Sequence, residues 1–413
     1  MALLLSAGAF AHPDLDAPST GGIRPSSAVT VPGSLNASSA HSGSDAEDES
    51  AAPLNARGEV LPTVPRDLNE QVVEIPVGEI ADGDMTLETT IFKPSGNGPF
   101  PLIVFNHGKE HGDPREQARS RPLAFAREFV RRGYVVVAPN RRGFARSGGT
   151  YVDNTCDVAT NGLAQARDVA ATVAYMSRQP YVDTAHIVVA GVSHGGLTTI
   201  AYGQTPQPGV RGLLNFAGGL RQAACVNWQT DLSHAFGAYG AKVRVPSLWL
   251  YGDNDSFWSP QLASRMYDAF VRHGGHAKFV DIGRYKDDAH RIVADRDGVP
   301  VWWPSAAAFL AQVGMPTSVR YWIADPVLPR GSGFATIDAI DAVPFVDDTG
   351  RAGYQTFLQQ YPTRAFAVSD NGAWSWAAGG DDAMSLALSS CAKRSTAPCH
   401  LYAVNDNVVW NEH

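Results

Sequence analysis

Beyond Asn69 the chain alternates between two hydrophobic patterns. Near-continuous apolar runs of strand length recur at residues 102–105, 134–137, 187–190, 213–216, 248–251 and 279–282. Runs this apolar suit strands covered on both faces. Between them apolar residues fall at the spacing of one helix face, as with Leu123, Ala126 and Val130 before Arg131-Arg132-Gly133, and again with Ala170, Val173 and Met176. The alternation predicts an α/β fold: a mostly parallel central sheet with helices on both faces and reactive loops at the carboxyl ends of its strands. Residues 72–75 and 87–92 predict an antiparallel pair that opens the sheet. A helix-like stretch at 305–313 closes this unit near Pro316.

Two further regions differ in pattern. The tail carries its own strand and helix signals at 354–361, 365–368, 383–388, 401–404 and 408–410, and reads as a small α+β module. Residues 12–66 are rich in Ser, Ala, Gly, Pro and acidic residues, as in Ser38-Ser39-Ala40-His41-Ser42-Gly43, and cannot bury enough apolar surface to offset their ordering entropy. They are expected to be a disordered linker. Residues 2–11 look like the apolar region of a secretory signal ending in Ala9-Phe10-Ala11, which predicts an exported protein, periplasmic or secreted. The expected organisation is a signal-like segment 1–11, a linker 12–66, a catalytic domain 67–316 and a small module 317–413.

Charge and cysteine content narrow the classes. A net charge of −8 is spread over scattered residues of both signs, with no basic block to neutralise phosphates, so nucleic acid is not an expected partner. No later stretch approaches the roughly 20 apolar residues of a membrane-spanning helix. Export places the four cysteines where disulfides persist. Cys391 and Cys399 flank a polar, turn-prone loop and are expected partners, which leaves Cys156 with Cys225. No metal-ligand spacing or dinucleotide fingerprint is present, so no cofactor is expected.

Gly191-Val192-Ser193-His194-Gly195-Gly196 carries the chemistry. It follows the strand signal at 187–190 and precedes a helix-like stretch, the context in which G-x-S-x-G places a nucleophilic serine on a sharp turn. A serine hydroxyl needs a base, and the base needs an orienting acid. In chain order these are Asp255, in Gly252-Asp253-Asn254-Asp255 after one strand signal, and His290, in Asp287-Asp288-Ala289-His290 after the next. Asp253 is the alternative acid, less favoured because it directly follows Gly252 at the strand end. His273 and His276 read as helix-end or surface residues. Oxyanion donors are expected from the backbone N–H groups of His194 and of Lys109, in Asn106-His107-Gly108-Lys109. His107 is expected to position that loop, and 141–149 to shape the site.

These motifs, with Arg142-Gly143 and Ser147-Gly148, resemble the dienelactone hydrolase-related branch of the α/β-hydrolases over residues 70–315. They also resemble the catalytic domain of prolyl oligopeptidase-type peptidases. Dienelactone hydrolases use a cysteine nucleophile, whereas Ser193 stands here, so their lactone chemistry is not carried over. The expected activity is hydrolysis of a small carboxylic ester through an acyl-serine. A serine peptidase and a binding protein on an inactive hydrolase scaffold are the alternatives. Tyr151, Trp228, Phe257 and Trp258 are candidates to line a substrate pocket.

Overall fold

The apolar runs become the strands of one sheet because alternate residues in each find a covered face. The computed structural model describes residues 60, 62–77, 85–110, 112–153, 156–222, 224–324, 327–360, 363–378 and 383–411. In chain order the elements are β1 (Thr63–Val64), β2 (Gln71–Pro76), β3 (Thr86–Phe92), β4 (Phe100–Asn106), α1 (Leu123–Val130), β5 (Val135–Pro139), α2 (Val158–Met176), β6 (Val182–Val192) and α3 (His194–Tyr202). There follow β7 (Val210–Phe216), α4 (Trp228–Gly240), β8 (Ser247–Tyr251), α5 (Pro260–Arg272), β9 (Ala277–Asp281) and α6 (Val299–Gln312).

Strands β2 to β9 form a single sheet in the order β2-β3-β5-β4-β6-β7-β8-β9. Only β3 runs against its neighbours; every other pairing is parallel. Val104, Val137, Val189 and Leu213 face one layer of helices, among Val169 and Val173 of α2 and Phe236 of α4. Ile103, Val136, Val188 and Leu214 face the other, among Phe125 and Phe129 of α1 and Trp302 of α6. Each such side chain contributes about 1.5–3 kcal/mol when fully buried. Edge strand β9 departs from expectation: its residues are only half-buried or exposed, because among the described residues no strand pairs beyond it.

The folded chain also starts earlier than its composition suggests. Within the stretch expected to be linker, β1 pairs in parallel with β10 (Trp322–Ile323), and Val64 is buried. The signal-like segment 1–11 and residues 12–59 lie outside the described residues.

After β10 come α7 (Asp348–Leu358), β11 (Arg364–Ser369), β12 (Trp374–Ala378), α8 (Ala383–Ala392), β13 (Cys399–Val404) and β14 (Asn407–Val408). Their strands form an antiparallel sheet in the order β12-β11-β13-β14, with Tyr354, Phe357, Phe366 and Tyr402 in its core. The Cys391–Cys399 disulfide joins the end of α8 to the start of β13. Among the described residues no helix is long and apolar enough to cross a membrane.

Candidate active site

Ser193 stands between β6 and α3 with φ 55° and ψ −124°, a left-handed conformation that costs an ordinary residue on the order of 1–3 kcal/mol. The flanking glycines make the bend possible. A Cβ at Gly191 would lie 2.2 Å from the Gly195 carbonyl oxygen, and one at Gly195 would lie 2.0 Å from that of Asn106. The serine backbone is held from outside the turn, with its N–H donating to Phe216 O at 3.0 Å and its carbonyl accepting from Gly219 N at 2.9 Å.

Asp255 and His290 meet at the same sheet edge, beyond β8 and β9. His290 Nδ1 lies 3.0 Å from Asp255 Oδ2 and 3.1 Å from Oδ1. The Asp255 carboxylate is wholly buried and also accepts from the N–H groups of Phe257 at 2.8 Å and Trp258 at 3.0 Å. A carboxylate so placed fixes the imidazole proton on Nδ1 and leaves the Nε2 lone pair free. Asp253 is exposed, and the carboxylate that pairs with the His290 ring is that of Asp255. His290 rests against Phe257 at 4.5 Å between ring centroids and lies 6.2 Å from Trp258. Trp258 Nε1–H in turn donates to Ala217 O at 2.7 Å, one residue beyond the strand that holds the Ser193 N–H. Ser193 Oγ itself makes no hydrogen bond among the described residues.

The loop expected to supply an oxyanion donor reaches the serine. A Cβ on Gly108 would lie 3.3 Å from Ser193 Cβ and 3.8 Å from its Oγ. The amide of Lys109 donates to no acceptor among the described residues, and that of His194 opens α3, where first-turn N–H groups lack intrahelical acceptors. The Lys109 ammonium turns away, donating to the carbonyls of Glu110 and Gly112 at 3.1 Å each. His107 is buried: its Nε2 accepts from Arg141 N at 3.2 Å, so its proton sits on Nδ1 and is donated to Gly108 O at 2.6 Å.

A model of the X-Pro dipeptidyl-peptidase (S15) family matches residues 82–233, less than half of the chain, from β3 through the Ser193 turn to the start of α4. The strand order in which β3 alone is reversed, with the serine turn after β6, decides the fold. The chain has the α/β-hydrolase fold. Among solved structures, a dienelactone hydrolase described as putative, from Klebsiella pneumoniae, is 19% identical, with 59% of this chain and 99% of that one covered at a TM-score of 0.43. A Pyrococcus furiosus esterase is 17% identical, with coverages of 62% and 99% and a TM-score of 0.44. An acylaminoacyl peptidase from Pyrococcus horikoshii is 15% identical at a TM-score of 0.45; there 62% of this chain covers 43% of that one.

In this α/β-hydrolase fold the Cys156–Cys225 disulfide joins the loop before α2 to the loop before α4. Gln222 Nε2 donates across the same gap to Asp153 Oδ1 at 3.3 Å. Tyr151 lies edge-on to His194 at 6.1 Å, and Trp228 lies 6.2 Å from Trp258. Several contacts had no signal in the sequence. His194 Nε2 donates to Asn161 Oδ1 at 2.7 Å, and Asp288 accepts from Ser256 N, Ser256 Oγ and His290 N at 3.0, 2.8 and 2.9 Å.

Proposed function

We propose that this α/β-hydrolase cleaves carboxylic esters through an acyl-serine, with Ser193 as nucleophile, His290 as base and Asp255 orienting the base. The observation that carries the reading is the 3.0 Å Asp255–His290 pair at the strand ends, taken with a serine held at φ 55° on the turn after β6. His290 Nε2 takes the hydroxyl proton as Ser193 Oγ attacks the ester carbon, then returns it to the leaving alcohol. A water activated by the same nitrogen releases the acid. The Ser193–His290 hydrogen bond that this requires is one that commonly tightens only with substrate bound. The N–H groups of His194 and Lys109 are the donors for the tetrahedral oxyanion. The substrate is a small-molecule ester and the chemistry uses no cofactor. The apolar segment at 2–11 and the two disulfides support an exported enzyme.

Ser193→Ala is expected to lower kcat on p-nitrophenyl acetate by about 10⁴-fold or more and to abolish labelling by a fluorophosphonate. Full turnover by that folded variant ends the proposal. A second reading, a serine peptidase, is favoured by the match of residues 82–233 to the X-Pro dipeptidyl-peptidase family. Faster turnover of an X-Pro p-nitroanilide than of the acetate ester would move the assignment there.

A further inference from the structure

Arg141, two residues past Pro139 at the end of β5, is wholly buried, although an isolated buried cation costs several kcal/mol. Among the described residues no carboxylate hydrogen-bonds to it. The neighbouring Arg142 takes Asp168 for itself, with Nη2 at 2.6 Å and Nε at 3.0 Å from Oδ1. Arg141 instead grips His107 twice, through its backbone N–H to Nε2 at 3.2 Å and through Nη1 to the carbonyl at 2.7 Å. Its Nε donates to Gln165 Oε1 on α2 at 3.0 Å, and the Phe144 ring lies beneath the guanidinium at 5.3 Å. The remaining Nη2 is buried without a partner.

The grip passes onward. With Nε2 occupied by the Arg141 amide, His107 must carry its proton on Nδ1 and hold Gly108 O at 2.6 Å. In a trans peptide the carbonyl and the following N–H point in opposite directions, so fixing Gly108 O on the His107 side turns the Lys109 N–H the other way. Burial, and after it the charge of Arg141, holds the His107 pKa well below the ordinary histidine value, which keeps that single-proton state.

We infer that Arg141 is a positioning residue for acyl transfer: through His107 it sets the Gly108–Lys109 peptide so that the Lys109 N–H meets the oxyanion formed at Ser193. This rests on the serine-hydrolase reading. The test compares wild type, Arg141→Met, Arg141→Lys and Gln165→Leu for kcat, KM, thermal midpoint and affinity for an alkyl boronic acid, a mimic of the tetrahedral adduct. Arg141→Met keeps the backbone N–H on His107 Nε2 and loses the Nη1 bond to the His107 carbonyl; from that loss kcat is expected to fall about 100-fold with KM within about threefold, and boronate affinity to weaken in the same proportion. Arg141→Lys keeps a charge and recovers part of both. Gln165→Leu removes only the alignment of the guanidinium and is expected to show a smaller loss of the same kind.

A folded Arg141→Met with wild-type kcat and boronate affinity overturns the inference, as does a loss confined to KM. If both Arg141 variants fail to fold, Gln165→Leu decides, and unchanged boronate affinity there counts against the role. A wild-type protein that neither hydrolyses esters nor labels at Ser193 fails the underlying reading first, and the role of Arg141 falls with it.

Discussion

At the scale of single residues, the proposed base depends on an aspartate that it does not touch through its ring. Asp288 accepts from the backbone and hydroxyl of Ser256 and from the His290 amide, tying the loop that carries His290 to the loop that carries Asp255. Asp288→Ala removes acceptors worth about 0.5–1.5 kcal/mol each and lets the imidazole drift. A drift near 1 Å lowers rates by about 10²-fold, so kcat is expected to fall about 10–100-fold, with phosphonate labelling slowed in step. Ester kinetics within about twofold of wild type would show that the tie is dispensable. The Asp255–His290 contact was legible because each residue follows its own apolar run, and parallel strands deliver their carboxyl ends to one edge. The Arg141–His107 and His194–Asn161 contacts were not. They join residues more than thirty positions apart by side-chain packing, to which neither hydrophobic period responds.

Among the elements, the loops before α2 and α4 flank the serine turn and are joined covalently by Cys156 and Cys225, 69 residues apart. In the chain-entropy picture a loop of that length makes the cross-link worth about 4 kcal/mol, against about 2.5 kcal/mol for the short Cys391–Cys399 loop. Replacing Cys156 and Cys225 by serine is expected to lower the melting midpoint by about 8 °C or more, clearly beyond the effect of the matching Cys391 and Cys399 change. Calorimetry of the two double variants ranks them, and the reverse order refutes the argument.

Element boundaries were less legible where two signals compete. The helix expected at 305–313 runs as Val299–Gln312, because Pro300 sits in its first turn, where no N–H is needed, and burial of Trp302, Ala306, Phe309 and Leu310 outweighs Pro304 inside it. Strand β12 went unread because its tryptophans and alanines are mostly half-buried and show no alternation.

For the whole molecule, the question is which part of the tail the hydrolase needs. Residues 316–324 lie along the body: Tyr134 Oη donates to Pro316 O at 2.6 Å, Arg132 Nε to Thr317 O at 2.8 Å, Arg320 N to Arg131 O at 2.8 Å and Trp322 N to Pro62 O at 2.9 Å. Truncation after Ala324 is expected to leave kcat on a short ester within about twofold of the full chain, since β10 stays paired with β1. Truncation after Met315 removes these bonds and the β1–β10 pairing, several kcal/mol in sum, and is expected to lower the melting midpoint by about 10 °C. Equal midpoints for the two truncations would refute this.

The connection from β7 to α4 occupies only residues 217–227, and its described residues contain no helix or strand that could roof the serine. That connection is pinned near both ends, by the Gly219 N–H on the Ser193 carbonyl at 2.9 Å and by the Cys156–Cys225 disulfide, so on the acyl-serine reading it bounds the acyl group as a fixed wall.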